Sequence, residues 1–311
     1  MIETRTPKKT IIKTVITLIV SFAVFLAVIC IKANSSRIFS SSVGVGALKK
    51  LKEVDTLFVG ASSFRKGINM RTVDEHLSGS SYMLTYNGNQ PMNMALEVRE
   101  LYKSGVKIDT LVMEFDPGMI SSGPDLSDKR LLWDIGFESQ HELWKLLSTR
   151  EDADFFMFYD YWVSSNIDYL ATYPVSAPVI SKRYYLGGNT GDDDVKGLTE
   201  AELNELPVKE DAGFSDLQKA SLKEIIDLCR ENNTKLICLE SPNYKKMYED
   251  ANYAEKTRLL VEFLRENDVA VITKDDLKFD YKNPAYYSDL SHMSSDGMNE
   301  YTKEIIEILN Q

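Results

Sequence analysis

The stretch TLFVGAS, residues 56–62, is an apolar run that ends on Gly60, Ala61 and Ser62. A near-continuous apolar run of this length, closed by small residues, reads as a strand buried on both faces. Four more candidates follow: SYMLTYN (81–87), TLVMEFD (110–116), KLICLES (235–241) and VAVIT (269–273). Helical patterns over 91–104, 216–232, 245–267 and 294–310 lie between or after them. From 216, for example, Leu217, Ala220, Ile225 and Cys229 form one stripe while Glu224, Asp227 and Arg230 fall elsewhere. Strands without a polar face, alternating with amphipathic helices, predict an α/β fold with a parallel five-stranded sheet covered on both faces, a three-layer α/β/α sandwich.

Composition narrows the function. A chain of 311 residues, 43% apolar and 27% charged, can bury a sizeable core. Its net charge of −11 argues against a nucleic-acid binder, which needs basic residues to neutralise phosphates. Three Cys are too few for a disulfide scaffold. Cys229 and Cys238 read as buried thiols, with a bridge between them as the alternative. His76, His141 and His292 are scattered and no CxxC or HxxxH occurs, so no zinc site is expected.

The amino terminus differs from the rest. Residues 14–31, TVITLIVSFAVFLAVICI, carry no charge and are bracketed by Lys13 and Lys32. Eighteen uncharged, mostly apolar residues reach the lower edge of a membrane span. Arg5, Lys8, Lys9 and Lys13 precede them against a single Glu3, which predicts a cytoplasmic amino terminus and an outward domain. A cleaved signal peptide is the competing reading, but the run exceeds a usual signal core and no A-x-A site follows. The expected organisation is a cytoplasmic tail and single anchor over 1–36, a Ser/Gly-rich linker over 37–50, and one domain over 51–311. Within that domain, about 118–214 breaks the alternation and holds Trp133, Trp144, Trp162, the cluster DFFMFYDYW (154–162) and GGNTGDDD (187–194). This insertion reads as a subdomain with a small aromatic core or as a lid or acceptor-binding surface.

Two segments place reactive side chains where a parallel sheet binds ligands, outside the carboxyl ends of its strands. Gly60-Ala61-Ser62 follows the first strand, where small residues let the chain turn sharply and present Ser62. A serine there is also a common helix cap. Asp289 and His292 lie on the loop before the last helix, three residues apart, close enough for the carboxylate to orient the imidazole. The conjunction of Ser62, Asp289 and His292 points to nucleophilic catalysis more strongly than any one of them. Such serine chemistry requires neither metal nor cofactor.

These motifs resemble the SGNH/GDSL hydrolase superfamily, in its membrane-anchored branch that includes the D-alanyl-lipoteichoic acid assembly protein and polysaccharide O-acetylation proteins. FVGASSFRKGINM is similar to the first block and aligns Ser62 with the nucleophile. DLSHMSSDGMNEY resembles the last block and aligns Asp289 and His292 with the acid and base. TYNGNQPMNMALE resembles the second block, which implies an oxyanion or substrate-binding region at Asn87, Gly88 and Asn89, beside Gly60 of the first block. CLESPNYKKMY is similar to the branch's strand and Pro-containing loop. The resemblance covers 54–117 and 234–310. It implies an SGNH/flavodoxin-like sheet and a membrane-anchored serine esterase or O-acyltransferase, outside the cell membrane. Its substrate would be an acylated envelope polysaccharide or teichoic-acid-type polymer, and its partner a membrane-bound O-acyltransferase. Two departures stand out. The third block's Asn is absent, Glu114-Phe115-Asp116-Pro117-Gly118 standing in its place, and Ala61 replaces the Asp of G-D-S. A degenerate scaffold or glycan-binding protein on the same fold is the alternative.

Overall fold

The computed structural model describes residues 7–39, 44–129, 131–161, 191, 194–208 and 210–311. Five strands form one sheet: β1 Glu53–Gly60, β2 Ser81–Thr85, β3 Lys107–Phe115, β4 Lys235–Glu240 and β5 Ala270–Ile272. Their order is β2-β1-β3-β4-β5, and every pairing is parallel. Each predicted strand is present, with ends shifted by a few residues.

Alternation along each strand sends side chains to two separate cores. Leu57, Val59, Tyr82, Leu84, Leu111 and Met113 enter one core with the helices Pro91–Lys103 and Asp216–Glu231. Phe58, Met83, Val112 and Leu239 enter the other with the short helices Ser62–Gly67 and Met70–His76 and the helix Ser295–Leu309. Burial on both faces is why the strands carry no polar alternation, and it makes the molecule a three-layer sandwich. The chain leaves β1 for β2 on one side and returns to β3 on the other. The carboxyl ends of β1 and β3 therefore flank the switch point where such sheets bind ligands.

Three expectations change. The linker predicted over 37–50 is not a tether throughout. Residues Val45–Leu51 form a helix, and Val45, Ala47 and Leu48 are fully buried against the first core. The sequence signal failed because Ser and Gly dominate this stretch while three apolar residues on one short turn carry its packing. The helix predicted over 245–267 is two, Lys245–Tyr248 and Ala251–Glu266, with Asp250 capping the second through Asn252 and Tyr253 N–H. The described part of the insertion forms no core of its own. Leu126, Leu131, Leu132, Ile135, Leu143 and Leu147 join the first core, with Trp144 and Phe158 packed on it. Trp162 and most of GGNTGDDD lie outside the described residues, as does the side chain of Trp133.

The amino-terminal run lies within one helix, Pro7–Phe39. Among the described residues no helix is long and apolar enough to cross a membrane. Within 14–31, the side chains of Leu26 and of 28–31 are outside the described ones. Cys229 and Cys238 are both free and buried, so the bridge is absent; burial pushes the Cys229 thiol up to about 11.

Replacing Leu48, which is 0% exposed, with Ala is expected to lower stability by about 2–5 kcal/mol. A tether position would change it by less than about 0.5 kcal/mol. Denaturant unfolding of the two proteins measures the difference.

Candidate active site

At the end of β1 the backbone must turn within a packed space. A Cβ on Gly60 would lie 2.6 Å from Glu114 Oε2 and 2.7 Å from Phe64 Cδ1, so only glycine fits there. Ala61 stays extended, and Ser62 opens the helix Ser62–Gly67. This places Ser62 beyond the strand with its side chain partly exposed.

The loop before the last helix is held from several directions. Tyr287 pairs with Met293 across an isolated antiparallel bridge, is fully buried, and donates its hydroxyl to Pro242 O at 3.1 Å. Ser294 caps the last helix by accepting from Gly297 N–H at 3.2 Å and donates to Ala285 O at 2.7 Å. Between these anchors, Asp289 Oδ1 accepts from the N–H groups of Ser291 and His292, each at 2.8 Å. Asp289 Oδ2 is left for the imidazole and accepts from His292 Nδ1 at 2.7 Å. With Nδ1 carrying the proton, the lone pair of Nε2 faces Ser62, whose Oγ stands 2.9 Å away. The side chains of His292 and Asp289 are 22% and 42% exposed, so a substrate can reach the site from solvent.

The electrostatics suit that arrangement. Burial would raise the Asp289 carboxyl, but the bonds from the His292 ring and the Ser291 N–H bring it down to about 2. A permanently ionised Asp289 holds the Nδ1–H tautomer and favours an imidazolium when one forms. No group of three or more His, Cys, Asp or Glu that could hold a metal is present among the described residues.

Of the residues expected around the oxyanion, Asn87 and Asn89 have other partners. Asn89 is 1% exposed and uses its amide protons on Gly60 O at 3.2 Å and Glu97 Oε1 at 3.0 Å. It supports the turn from beneath. Asn87 donates its N–H to Asp128 Oδ2 at 3.0 Å, and its side-chain oxygen accepts from Arg65 Nη2 at 2.5 Å. Gly88 has φ +57, and a Cβ there would lie 2.8 Å from Ser127, so this turn too depends on glycine.

Glu114 stands out in the sequence only as a departure from the third block. Its Oε2 accepts from Ala61 N–H at 2.6 Å and its Oε1 from Ser63 Oγ at 2.7 Å. Burial, then the neighbouring Asp116 charge, pushes this carboxyl up to about 7. The available signal was an acid set inside the otherwise apolar run TLVMEFD. In a strand buried on both faces such a group needs specific partners.

Fold and site define a three-layer α/β protein with a Ser–His–Asp constellation at the sheet's switch point. No protein-family model matches the chain, and no curated protein matches it. Among solved structures, a protein from Bacteroides fragilis provisionally named an acylhydrolase is similar, with 12% identity and a TM-score of 0.40 over 83% of this chain and 86% of that one. A protein from Streptococcus pneumonia provisionally named a platelet activating factor shows 12% identity and a TM-score of 0.41, over 93% and 99% of the two chains. A GDSL-like lipase from Bacteroides thetaiotaomicron shows 11% and 0.40, over 90% and 98%. Likenesses at such scores carry no functional weight; the chemistry of the site rests on the chain's own geometry.

Glu114 supplies a pH test. Its folded pKa of about 7 lies above the ordinary 4.5. Its stabilising contribution is therefore full below about pH 4.5 and is lost as pH rises through 7. Relative to the wild type, Glu114→Gln is expected to gain about 3 kcal/mol between pH 4 and pH 8. Denaturant titrations of both proteins at the two pH values would show it. A difference that stays flat would mean that this carboxyl titrates normally.

Proposed function

We propose that the chain is a serine esterase or O-acyltransferase acting on acyl esters. The observation that carries this reading is the continuous relay from Ser62 Oγ through His292 to Asp289, at 2.9 and 2.7 Å. In the first half-reaction Ser62 Oγ attacks the ester carbonyl while Nε2 of His292 takes the hydroxyl proton. The tetrahedral intermediate collapses, His292 returns the proton to the departing alcohol, and the acyl group remains on Ser62. Water, or the hydroxyl of an acceptor, then attacks the acyl-enzyme with His292 again as base, which releases the acid or the new ester. The Ser62 and Gly88 backbone N–H groups would receive the oxyanion. Asn89, whose amide protons are already used, would position the turn.

The resemblance in the motifs supports an acylated envelope polymer as substrate, with a membrane-bound O-acyltransferase as partner when the reaction is transfer. The proposed anchor is the uncharged run 14–31. Ile11, Ile12, Val15, Ile16, Leu18, Ile19, Val20, Phe22, Val24 and Phe25 are each about half or more exposed, so apolar side chains face outward along the stretch 11–25. Water is a poor solvent for such a surface. In a single-pass arrangement the basic residues before it stay in the cytoplasm and the domain lies outside. Protease protection in sealed vesicles tests this topology. The domain should be cleaved from the outer side only, with the apolar helix remaining in the membrane after alkaline carbonate washing; release of the full chain would rule out the anchor.

The chemistry is tested on the full chain in detergent with a fluorophosphonate and with p-nitrophenyl acetate. Ser62→Ala should abolish labelling, and Asp289→Asn should lower kcat by about 10³–10⁴-fold, the scale for losing the tautomer-holding carboxylate. A folded wild type that neither labels nor turns over acetate, with or without an alcohol acceptor, would favour a non-catalytic scaffold.

A further inference from the structure

Where the resemblance leads one to expect an Asn, Glu114 bonds the residues on both sides of Ser62. The ladder between β1 and β3 reaches Val59 and Met113 and goes no further. Beyond it β1 turns away, and the N–H of Ala61, a residue 1% exposed, has no strand carbonyl to meet. A buried N–H cannot be left unpaired cheaply, and Glu114 Oε2 meets it at 2.6 Å. The other carboxyl oxygen takes Ser63 Oγ at 2.7 Å, on the first turn of the following helix. The side chain lies in the space that a Cβ on Gly60 would need, 2.6 Å from its Oε2, so the two positions are matched. From the opposite side Asn89 Nδ2 holds Gly60 O.

We propose that Glu114 is a positioning residue for the nucleophile: by accepting from Ala61 and Ser63 it fixes the 60–63 turn so that Ser62 Oγ meets His292 Nε2. The proposal rests on the hydrolase reading above. It differs from a purely stabilising role in its consequence. A stabilising contact alters how much protein is folded; this one alters how fast folded protein reacts, because misplacing a reacting atom by about 1 Å costs on the order of 10²-fold.

The test measures fluorophosphonate labelling and p-nitrophenyl acetate kinetics on the folded full chain in detergent. Glu114→Met keeps the volume but accepts neither bond. It is expected to label about 100-fold more slowly, with kcat reduced and KM within about twofold of wild type. Glu114→Gln can accept from Ala61 N–H through its amide oxygen and donate to Ser63 Oγ. It should recover to within about fivefold of wild type, since both links are restored. Ser63→Ala removes one link and should slow labelling by about tenfold, which decides the matter if Glu114→Met fails to fold. Wild-type labelling rates in folded Glu114→Met and Ser63→Ala would overturn the proposal, as would a Gln variant as slow as Met. An unlabelled wild type would overturn the hydrolase reading and this proposal with it.

Discussion

A parallel sheet covered on both faces has its accessible polar backbone at the strand ends, and the turn after β1 is where this chain uses it. Three side chains converge on residues 60–63. Glu114 accepts from Ala61 and Ser63, Asn89 donates to Gly60 O, and His292 meets Ser62. They come from β3, from the turn after β2 and from the loop before the last helix. The reactive serine is therefore held by the whole sheet. A shift of β3 against β1 by one residue would withdraw Glu114 from Ala61 N–H and send every β3 side chain to the opposite face.

The second half of the site closes over a long sequence distance. Asp289 divides its two oxygens between the loop's own N–H groups and the imidazole, so the same carboxylate shapes the loop and sets the tautomer. Tyr287 and Ser294 hold the loop's ends against Pro242 and Ala285. Deep burial of these anchors beside a half-open Asp289 and His292 leaves the reacting groups accessible while their backbone is constrained. Such rigid support beneath an open site is what a relay of hydrogen bonds requires.

Much of this was legible from residue order. All five strands were, because two-sided burial writes itself as uninterrupted apolar runs. So were Ser62, Asp289 and His292, since a serine at a strand end and a DxxH before the last helix each occupy places the topology makes functional. The helix Val45–Leu51 was hidden by its Ser and Gly neighbours, and only contact with the first core shows that Val45, Ala47 and Leu48 belong to it. The insertion misled in the opposite way. Its dense aromatics suggest a separate core, whereas Trp144 and Phe158 pack against the main one, with rings 5.2 Å apart.

The layer architecture and the identity of the three converging residues follow from residue order alone, because periodicity and strand-end placement are local properties of the chain. What surrounds Ser62 is set by the packing of distant segments. Whether a buried Asn donates to an oxyanion or to a backbone carbonyl depends on atoms brought from other strands. Asn89 turned to Gly60 and Glu97, and Glu114, a residue that sequence alone marked as a departure, met the N–H that β1 leaves behind as it turns. Hydrogen-bond partners are chosen in space, among groups that the sequence keeps far apart.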